Sequence, residues 1–200
     1  MLGRARLVLW GIIGATLLVI AALYVSGGRE GPVAGDTQSL AGFGGPFTLT
    51  ASDGKPFASA ERLRGKPFAL FFGFTHCPDI CPTTLARLAK LRREIGKGDD
   101  SFAIVFVTVD PERDTPAAMG DYARAFATPV IGLTGSPAAV AEVEKQWGIY
   151  AKKVPQPGGD YSMDHTATVF LVDRDGHFQS TVDPQEDDAP ALAKLKRLAA

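Results

Sequence analysis

Cysteine and histidine are scarce in this chain, which has two Cys and three His among 200 residues. So few ligands exclude a four-thiolate zinc site, a multi-metal cluster and a small fold held by several disulfides. Positive charge is not in excess either, because the net charge is −1, and this excludes nucleic-acid binding through bulk charge. The shares of hydrophobic (46%) and charged (22%) residues are typical of a folded protein. Any soft-ligand chemistry must therefore use Cys77 and Cys81.

One long apolar run lies near the N-terminus. Leu7 to Val25 contains no charged residue and, at 19 residues, comes close to the length that spans a bilayer. Arg4 and Arg6 precede it, which places residues 1–6 in the cytoplasm and the following chain across the membrane. The run is longer than the apolar core of a typical cleaved signal peptide, which remains the alternative. We therefore predict a single-pass anchor in the inner membrane over residues 7–25.

The chain beyond this run divides into a linker and one domain. Ser26 to Pro46 contains seven Gly and two Pro and has no apolar period, so residues 26–45 are predicted to form a flexible linker. The domain is expected over residues 46–200. It would lie in an extracytoplasmic space, where an unprotected pair of thiols can be oxidised.

Apolar runs alternate with amphipathic segments through the domain. This alternation predicts an α/β sheet with helices on its faces. A long loop is predicted over residues 151–163. The other predicted elements are a hairpin at 47–57, buried strands at 69–74 and 102–109, helices at 83–95, 116–126 and 137–147, a short strand at 130–133, a hairpin at 167–182 and a helix at 188–198.

The two thiols follow a predicted central strand and precede a predicted helix. Ligands bind at the carboxyl ends of strands in open α/β sheets, so this is a favourable place for a site. Pro82 suits the first helical position, which predicts Cys81 as the N-cap and favours its thiolate through the helix dipole. An inert disulfide across such a short loop would stabilise the fold little.

The residues around the thiols favour a metal over general disulfide exchange. Thiol–disulfide enzymes of this topology have two residues between their cysteines and a Pro before the following strand. Here three residues separate Cys77 from Cys81, and His165 occupies the place of that Pro. Two thiolates and one imidazole suit copper in either oxidation state, whereas zinc would need a fourth ligand. A thiol–disulfide oxidoreductase and a redox or copper sensor remain open as alternatives.

Other polar residues near the thiols have weaker signals. His76 is expected at the surface or in a supporting role, and His177 is expected to be exposed beside a turn over residues 173–176. Asp110 follows a central strand at the same end of the sheet as the thiols, where it would tune the site, contribute to a partner surface or cap a loop. Asp164 is a candidate for orienting the neighbouring imidazole.

Three segments, taken in order, carry a resemblance to a known family. They are Phe71–Pro82, Val107–Pro116 and Asp164–Val172. Together they resemble the Sco/SenC family of membrane-anchored, thioredoxin-like copper proteins, and the resemblance covers the domain from about residue 46 as well as the N-terminal anchor. It implies a thioredoxin-like fold, copper ligands at Cys77, Cys81 and His165, and a thiol pair that can cycle to a disulfide.

The resemblance also implies a function. The chain would be a copper metallochaperone that helps to assemble the binuclear copper centre of cytochrome c oxidase. Its soluble domain would face the periplasm or an equivalent space and would carry Cu(I) or Cu(II). The expected partners are the copper-bearing subunit of the oxidase and other copper chaperones or thiol reductants. The alternative is a thiol–disulfide oxidoreductase that reduces the cysteines of a partner copper protein.

Overall fold

The structure, a computed structural model, describes residues 43–200 together with Trp10, Ala15 and Leu17. Among these residues, no helix is both long and apolar enough to cross a bilayer. Apart from those three positions and Phe43 to Gly45, the predicted anchor and linker lie outside the described residues. Both therefore stay predictions.

A mixed sheet of seven strands forms the centre of residues 43–200, in the order β2-β1-β5-β4-β3-β8-β9, and β6 and β7 form a separate pair. The strands are β1 (Thr48–Ala51), β2 (Pro56–Ala58), β3 (Phe68–Gly73), β4 (Ala103–Thr108), β5 (Ile131–Thr134), β6 (Ala151–Pro155), β7 (Tyr161–His165), β8 (Val169–Val172) and β9 (Phe178–Val182). The helices are α1 (Ser59–Arg62), α2 (Ile80–Ile95), α3 (Pro116–Arg124), α4 (Pro137–Gln146) and α5 (Asp188–Leu198), with a 3-10 turn at Gly98–Asp100.

The hydrophobic core surrounds β3 and β4. Every residue of β3 is buried, as are all residues of β4 after Ala103. Their continuous apolar sequences suit strands that are covered on both faces. The two strands pair in parallel from Phe68↔Ala103 to Gly73↔Thr108, so their carboxyl ends lie side by side. The loops that follow these two strands therefore meet at one edge of the sheet.

The predicted N-terminal hairpin is confirmed. Strand β1 pairs with β2 in antiparallel register, from Thr48↔Ala58 to Thr50↔Pro56. Gly54 in the turn has a φ of 79°, which a glycine adopts without strain. The C-terminal helix is also confirmed, over Asp188–Leu198.

Helix α2 begins earlier than the sequence predicted. Its first residue is Ile80 and its N-cap is Asp79, so the prediction of Cys81 as N-cap is wrong. Cys81 and Pro82 instead lie within the first turn of the helix. The N–H groups of this turn have no acceptor within the helix, so a proline is tolerated there beyond the first position.

The prediction of a long loop over residues 151–163 is also wrong. Strands β6 and β7 form a hairpin, paired from Ala151↔His165 to Pro155↔Tyr161. Every residue of β6 after Ala151 is exposed, so the strand lacks the alternating apolar pattern by which strands are recognised. His165 is the last residue of this hairpin, and its position depends on how the hairpin is held.

Candidate metal centre

The two cysteines lie at the carboxyl end of β3 and are not joined by a disulfide. Cys77 is half-buried in the loop after the strand, and Cys81 is fully buried in the first turn of α2. The absence of a side chain at Gly73 makes room for the second sulfur. A Cβ atom at that position would lie 2.6 Å from Cys81 Sγ and 2.8 Å from Phe106 Cε2.

The structure brings His165 to the thiols from 84 residues further along the chain. Its Nε2 lies 3.6 Å from Cys81 Sγ. Its Nδ1 lies 3.0 Å from the carbonyl oxygen of Thr166, which can only accept a hydrogen bond. The neutral ring therefore carries its proton on Nδ1, and the lone pair of Nε2 faces the sulfur.

Aromatic rings hold the imidazole from the side of the core. Phe74 contacts His165 edge to face, with ring centroids 5.7 Å apart and an interplanar angle of 90°. Phe71 lies at a centroid distance of 6.4 Å. Both phenylalanines belong to β3 or the residue after it, so the same strand positions the imidazole and the loop that carries Cys77.

The two thiols differ strongly in acidity. The Cys81 thiol stabilises the Cys77 thiolate by hydrogen bonding, as do backbone N–H groups, and these bonds lower the pKa of Cys77 to about 3 against the opposing effect of burial. One of these groups is the Cys81 N–H, which lies 3.4 Å from Cys77 Sγ. The hydrogen bond to the Cys77 thiolate and burial raise the pKa of the Cys81 thiol well above its usual range. The pair therefore holds one thiolate, on Cys77, and one thiol, on Cys81.

This set of groups can do two kinds of chemistry. A thiolate, a second thiol and an imidazole lone pair form a soft ligand set, and a metal would release the remaining thiol proton on binding. Three ligands of these types suit copper better than zinc, which takes four. A thiolate beside a thiol is also the arrangement that carries out disulfide exchange.

Sequence reasoning missed Asp114, a buried carboxylate at the same edge of the sheet. It accepts hydrogen bonds from Thr75 N (3.1 Å), Thr75 Oγ1 (2.6 Å) and Thr108 Oγ1 (2.6 Å). These bonds join the loop after β3 to the end of β4 and so fix the backbone that leads to Cys77. Its place after a central strand, four residues beyond Asp110, is the signal that could have revealed it.

Asp110 is buried and its carboxylate is already engaged. It accepts hydrogen bonds from the Tyr161 hydroxyl, at 2.8 Å, and from Arg113 Nε. Of the roles expected for Asp110, a contact within its own loop is present, through Arg113. The hydrogen bond from Tyr161 also reaches β7, the strand that ends at His165.

The remaining candidates have exposed side chains. His76 is exposed and its Nδ1 lies 3.1 Å from Thr75 Oγ1, as expected for a surface residue. Asp164 is exposed on β7, opposite Lys152. The Thr166 carbonyl oxygen, rather than the Asp164 carboxylate, orients the imidazole of His165.

The predicted turn after β8 is also present. Asp173 Oδ1 accepts hydrogen bonds from the N–H groups of Asp175 (2.9 Å) and His177 (2.8 Å). Potential ligand atoms of these three residues lie within 4.8 Å of one another. The bonds of Asp173 are those of an exposed turn, as the sequence predicted.

Comparison with known proteins places this chain in a family. The SCO1/SenC family model matches residues 35–200. The mitochondrial SCO1 homolog 1 of Arabidopsis thaliana is 40% identical over 151 residues, which is 75% of this chain and 44% of that protein. The chain therefore spans less than half of that relative.

Solved structures show the same relationship. Bradyrhizobium japonicum ScoI with copper bound is 47% identical, with a TM-score of 0.70 over 78% of this chain and 99% of that one. BsSco, a member of the Sco family of cytochrome c oxidase assembly proteins with a disulfide switch, is 25% identical, with a TM-score of 0.60 over 78% and 94% of the two chains. The thioredoxin-like fold expected from the resemblance is thereby confirmed, and the chain belongs to the SCO1/SenC family.

Proposed function

We propose that this chain is a membrane-anchored copper metallochaperone that delivers copper to the binuclear copper centre of cytochrome c oxidase. The observation that carries the proposal is the 3.6 Å distance between His165 Nε2 and Cys81 Sγ. An imidazole lone pair beside a thiolate and a thiol is a ligand set suited to copper. Cys77, Cys81 and His165 are the proposed ligands.

Two relatives support the cargo and the recipient. Bradyrhizobium japonicum ScoI, at 47% identity, has a structure with copper bound. BsSco belongs to a family of cytochrome c oxidase assembly proteins. The apolar run from Leu7 to Val25 supports a single-pass anchor with the domain in the periplasm or an equivalent space.

The geometry suggests an order of capture and release. The Cys77 thiolate is ready to bind, and Cys81 gives up its proton when copper arrives. His165 Nε2 completes a three-coordinate site, in which the open position can accept a thiolate of the recipient. Copper then passes by stepwise ligand exchange, with no net change in oxidation state.

Titration of the reduced, purified chain with Cu(I) and Cu(II) tests the ligand assignment. His165→Ala should remove Cu(II) binding and its thiolate-to-copper absorption, because the imidazole is the ligand that favours Cu(II). His177→Ala is the matched control, since this histidine has a side chain that is 76% exposed beside a turn. Unaltered Cu(II) binding and spectrum in His165→Ala would refute the assignment.

A second candidate function is supported by the low pKa of Cys77, about 3, beside a protonated Cys81. In this reaction the Cys77 thiolate attacks a partner disulfide and releases one partner thiolate. Cys81 then loses its proton and attacks Cys77 sulfur, which releases the second partner thiolate. Two electrons move to the partner, this chain becomes a disulfide, and a cellular dithiol must reduce it again.

The two candidates differ in their dependence on the imidazole. A peptide disulfide derived from a two-cysteine copper motif serves as the substrate. Cys77→Ser should abolish its reduction, whereas His165→Ala should leave reduction intact if disulfide exchange is the function. Reduction that does not depend on Cys77 would exclude the oxidoreductase.

A further inference from the structure

The hairpin formed by β6 and β7 makes no strand pairing with the seven-stranded sheet within residues 43–200. Its two strands pair only with each other, and His165 is its last residue. Backbone hydrogen bonds to the central sheet therefore do not fix the distance between His165 and the thiols. The short connection from His165 to β8 and side-chain contacts along the hairpin must do so.

A cluster of three side chains, Asp110, Arg113 and Tyr161, provides such contacts. We call it the Arg113 clamp. The Tyr161 hydroxyl donates a hydrogen bond to Asp110 Oδ1 at 2.8 Å, and the Arg113 guanidinium lies 3.7 Å from the centre of the Tyr161 ring. Arg113 Nη1 also donates to the Tyr161 carbonyl oxygen at 2.9 Å. The clamp thus joins the loop after β4 to the first residue of β7.

Two further contacts extend from the clamp. Arg113 lies 5.9 Å from the ring centre of Phe74, and that ring contacts His165 edge to face. On the solvent side, Lys153 Nζ lies 4.7 Å from the centre of the Tyr161 ring and pairs with Glu112 at 2.5 Å. A continuous set of contacts therefore runs from the exposed face of β6 to the imidazole.

The burial of Arg113 lowers the stability of the folded state in a way that a simple surface ion pair would not. Its Nη2 is buried and has no hydrogen-bond partner among the described residues. An unsatisfied buried donor disfavours the folded state. The planar guanidinium nevertheless bonds the carboxylate of Asp110 and stacks on Tyr161 at the same time, which a lysine could not do.

We infer that Arg113 and Tyr161 are positioning residues that hold His165 within reach of the thiols and so set the affinity for Cu(II). The inference rests on the proposed function. If the hairpin leaves its place for part of the time, the apparent dissociation constant rises as the inverse of the fraction of molecules in which the hairpin stays in place. Cu(I) is affected less, because the two thiolates carry most of its binding.

A graded set of variants of the full chain tests the inference. Arg113→Gln removes the charge and the stacking, and Tyr161→Phe removes only the hydrogen bond to Asp110. Lys153→Gln and Lys152→Gln form a matched pair, because both lysines are exposed on β6. Of these two lysines, only Lys153 has an ion-pair partner among the described residues and contacts the Tyr161 ring. Arg113→Lys keeps the charge without the planar fork.

Two measurements are made on each variant. Affinities for Cu(II) and Cu(I) are measured by titration and competition on the reduced chain. Amide hydrogen exchange of residues 151–165 is measured on the copper-free chain, where it reports the opening of the hairpin.

The inference predicts a difference between the two copper ions. Arg113→Gln should weaken Cu(II) binding by about tenfold or more, change Cu(I) binding by less than about threefold, and speed exchange in residues 151–165 by about tenfold. Tyr161→Phe, Lys153→Gln and Arg113→Lys should show smaller changes in the same direction. Lys152→Gln should match the wild type. A general loss of stability would instead speed exchange throughout the domain and weaken the binding of both ions.

Three outcomes would overturn the inference. The first is that Arg113→Gln keeps the Cu(II) affinity and the hydrogen exchange of the wild type. The second is that Arg113→Gln loses affinity for Cu(I) and Cu(II) equally. The third is that Lys152→Gln and Lys153→Gln change Cu(II) affinity and exchange equally. Failure of the proposed function is distinguishable, because His165→Ala would then bind copper as tightly as the wild-type chain. The exchange measurement on the copper-free chain still decides whether the clamp holds the hairpin.

Discussion

Alanine at position 73 is expected to disturb the site through a single methyl group. Its Cβ would start 2.6 Å from Cys81 Sγ and 2.8 Å from Phe106 Cε2. Ordinary contacts of this kind lie at about 3.5–4.0 Å, so each of the two contacts is short by about 1 Å. Phe106 is fully buried and stacks on Phe71, which leaves the sulfur and the first turn of α2 to move.

The size of the effect follows from this displacement. Forcing a methyl group into a packed core costs about 1–3 kcal/mol, and we expect Gly73→Ala to lie near the upper end because β3 is buried along its whole length. Ligand geometry tolerates errors of only about 0.5 Å. A sulfur displaced by about 1 Å should therefore weaken Cu(I) binding as well, by about tenfold.

Urea unfolding and Cu(I) competition measure the two effects. Gly135→Ala is the control, because the nearest atom to its added Cβ would be Leu49 Cδ2, at 3.2 Å, on the end of a side chain that can move. It should cost less than about 1 kcal/mol and leave copper binding unchanged. An unchanged free energy of unfolding in Gly73→Ala, or an equal loss in Gly135→Ala, would refute the reasoning.

Three further predictions concern charges and thiols. Iodoacetamide should label Cys77 at pH 5 and spare Cys81, because the pKa of Cys77 is lowered to about 3 while that of Cys81 is raised; equal labelling by mass spectrometry would contradict this. Asp114→Asn should lower the free energy of unfolding by about 2 kcal/mol, since an amide nitrogen replaces a buried acceptor, whereas exposed Asp121→Asn should not. Burial raises the pKa of Glu144 to about 7, so wild-type stability should fall between pH 4.5 and about 7 as the carboxyl ionises. Glu144→Gln should lack that slope in urea unfolding and be more stable above pH 7, by about 2 kcal/mol, and a flat wild-type curve would contradict the prediction.

Part of the site could be predicted because it follows from the order of the strands. Buried parallel strands read as continuous apolar runs, and the loops after them meet at one edge of the sheet. The sequence therefore predicts that Cys77 and Asp110 lie at the same edge. It also identified His165 as the residue facing the sulfurs.

The rest depends on contacts that leave little trace in a single sequence. Strand β6 is exposed along nearly all of its length, so its pattern is that of a loop. Asp114 has the charge of a surface residue, and only the folded chain shows that three donors surround it. The start of α2 was misplaced because Pro82 is compatible with several positions in a first helical turn.

The two sulfurs are not equivalent in an experiment, because only one of them is part of the core. Cys81 is completely enclosed, so serine there would bury a hydroxyl group among apolar neighbours and lower stability as well as reactivity. Cys77 is partly open to solvent, and serine at that position changes chiefly the chemistry. Phenotypes of the two serine variants should therefore be compared only after their folded fractions have been measured.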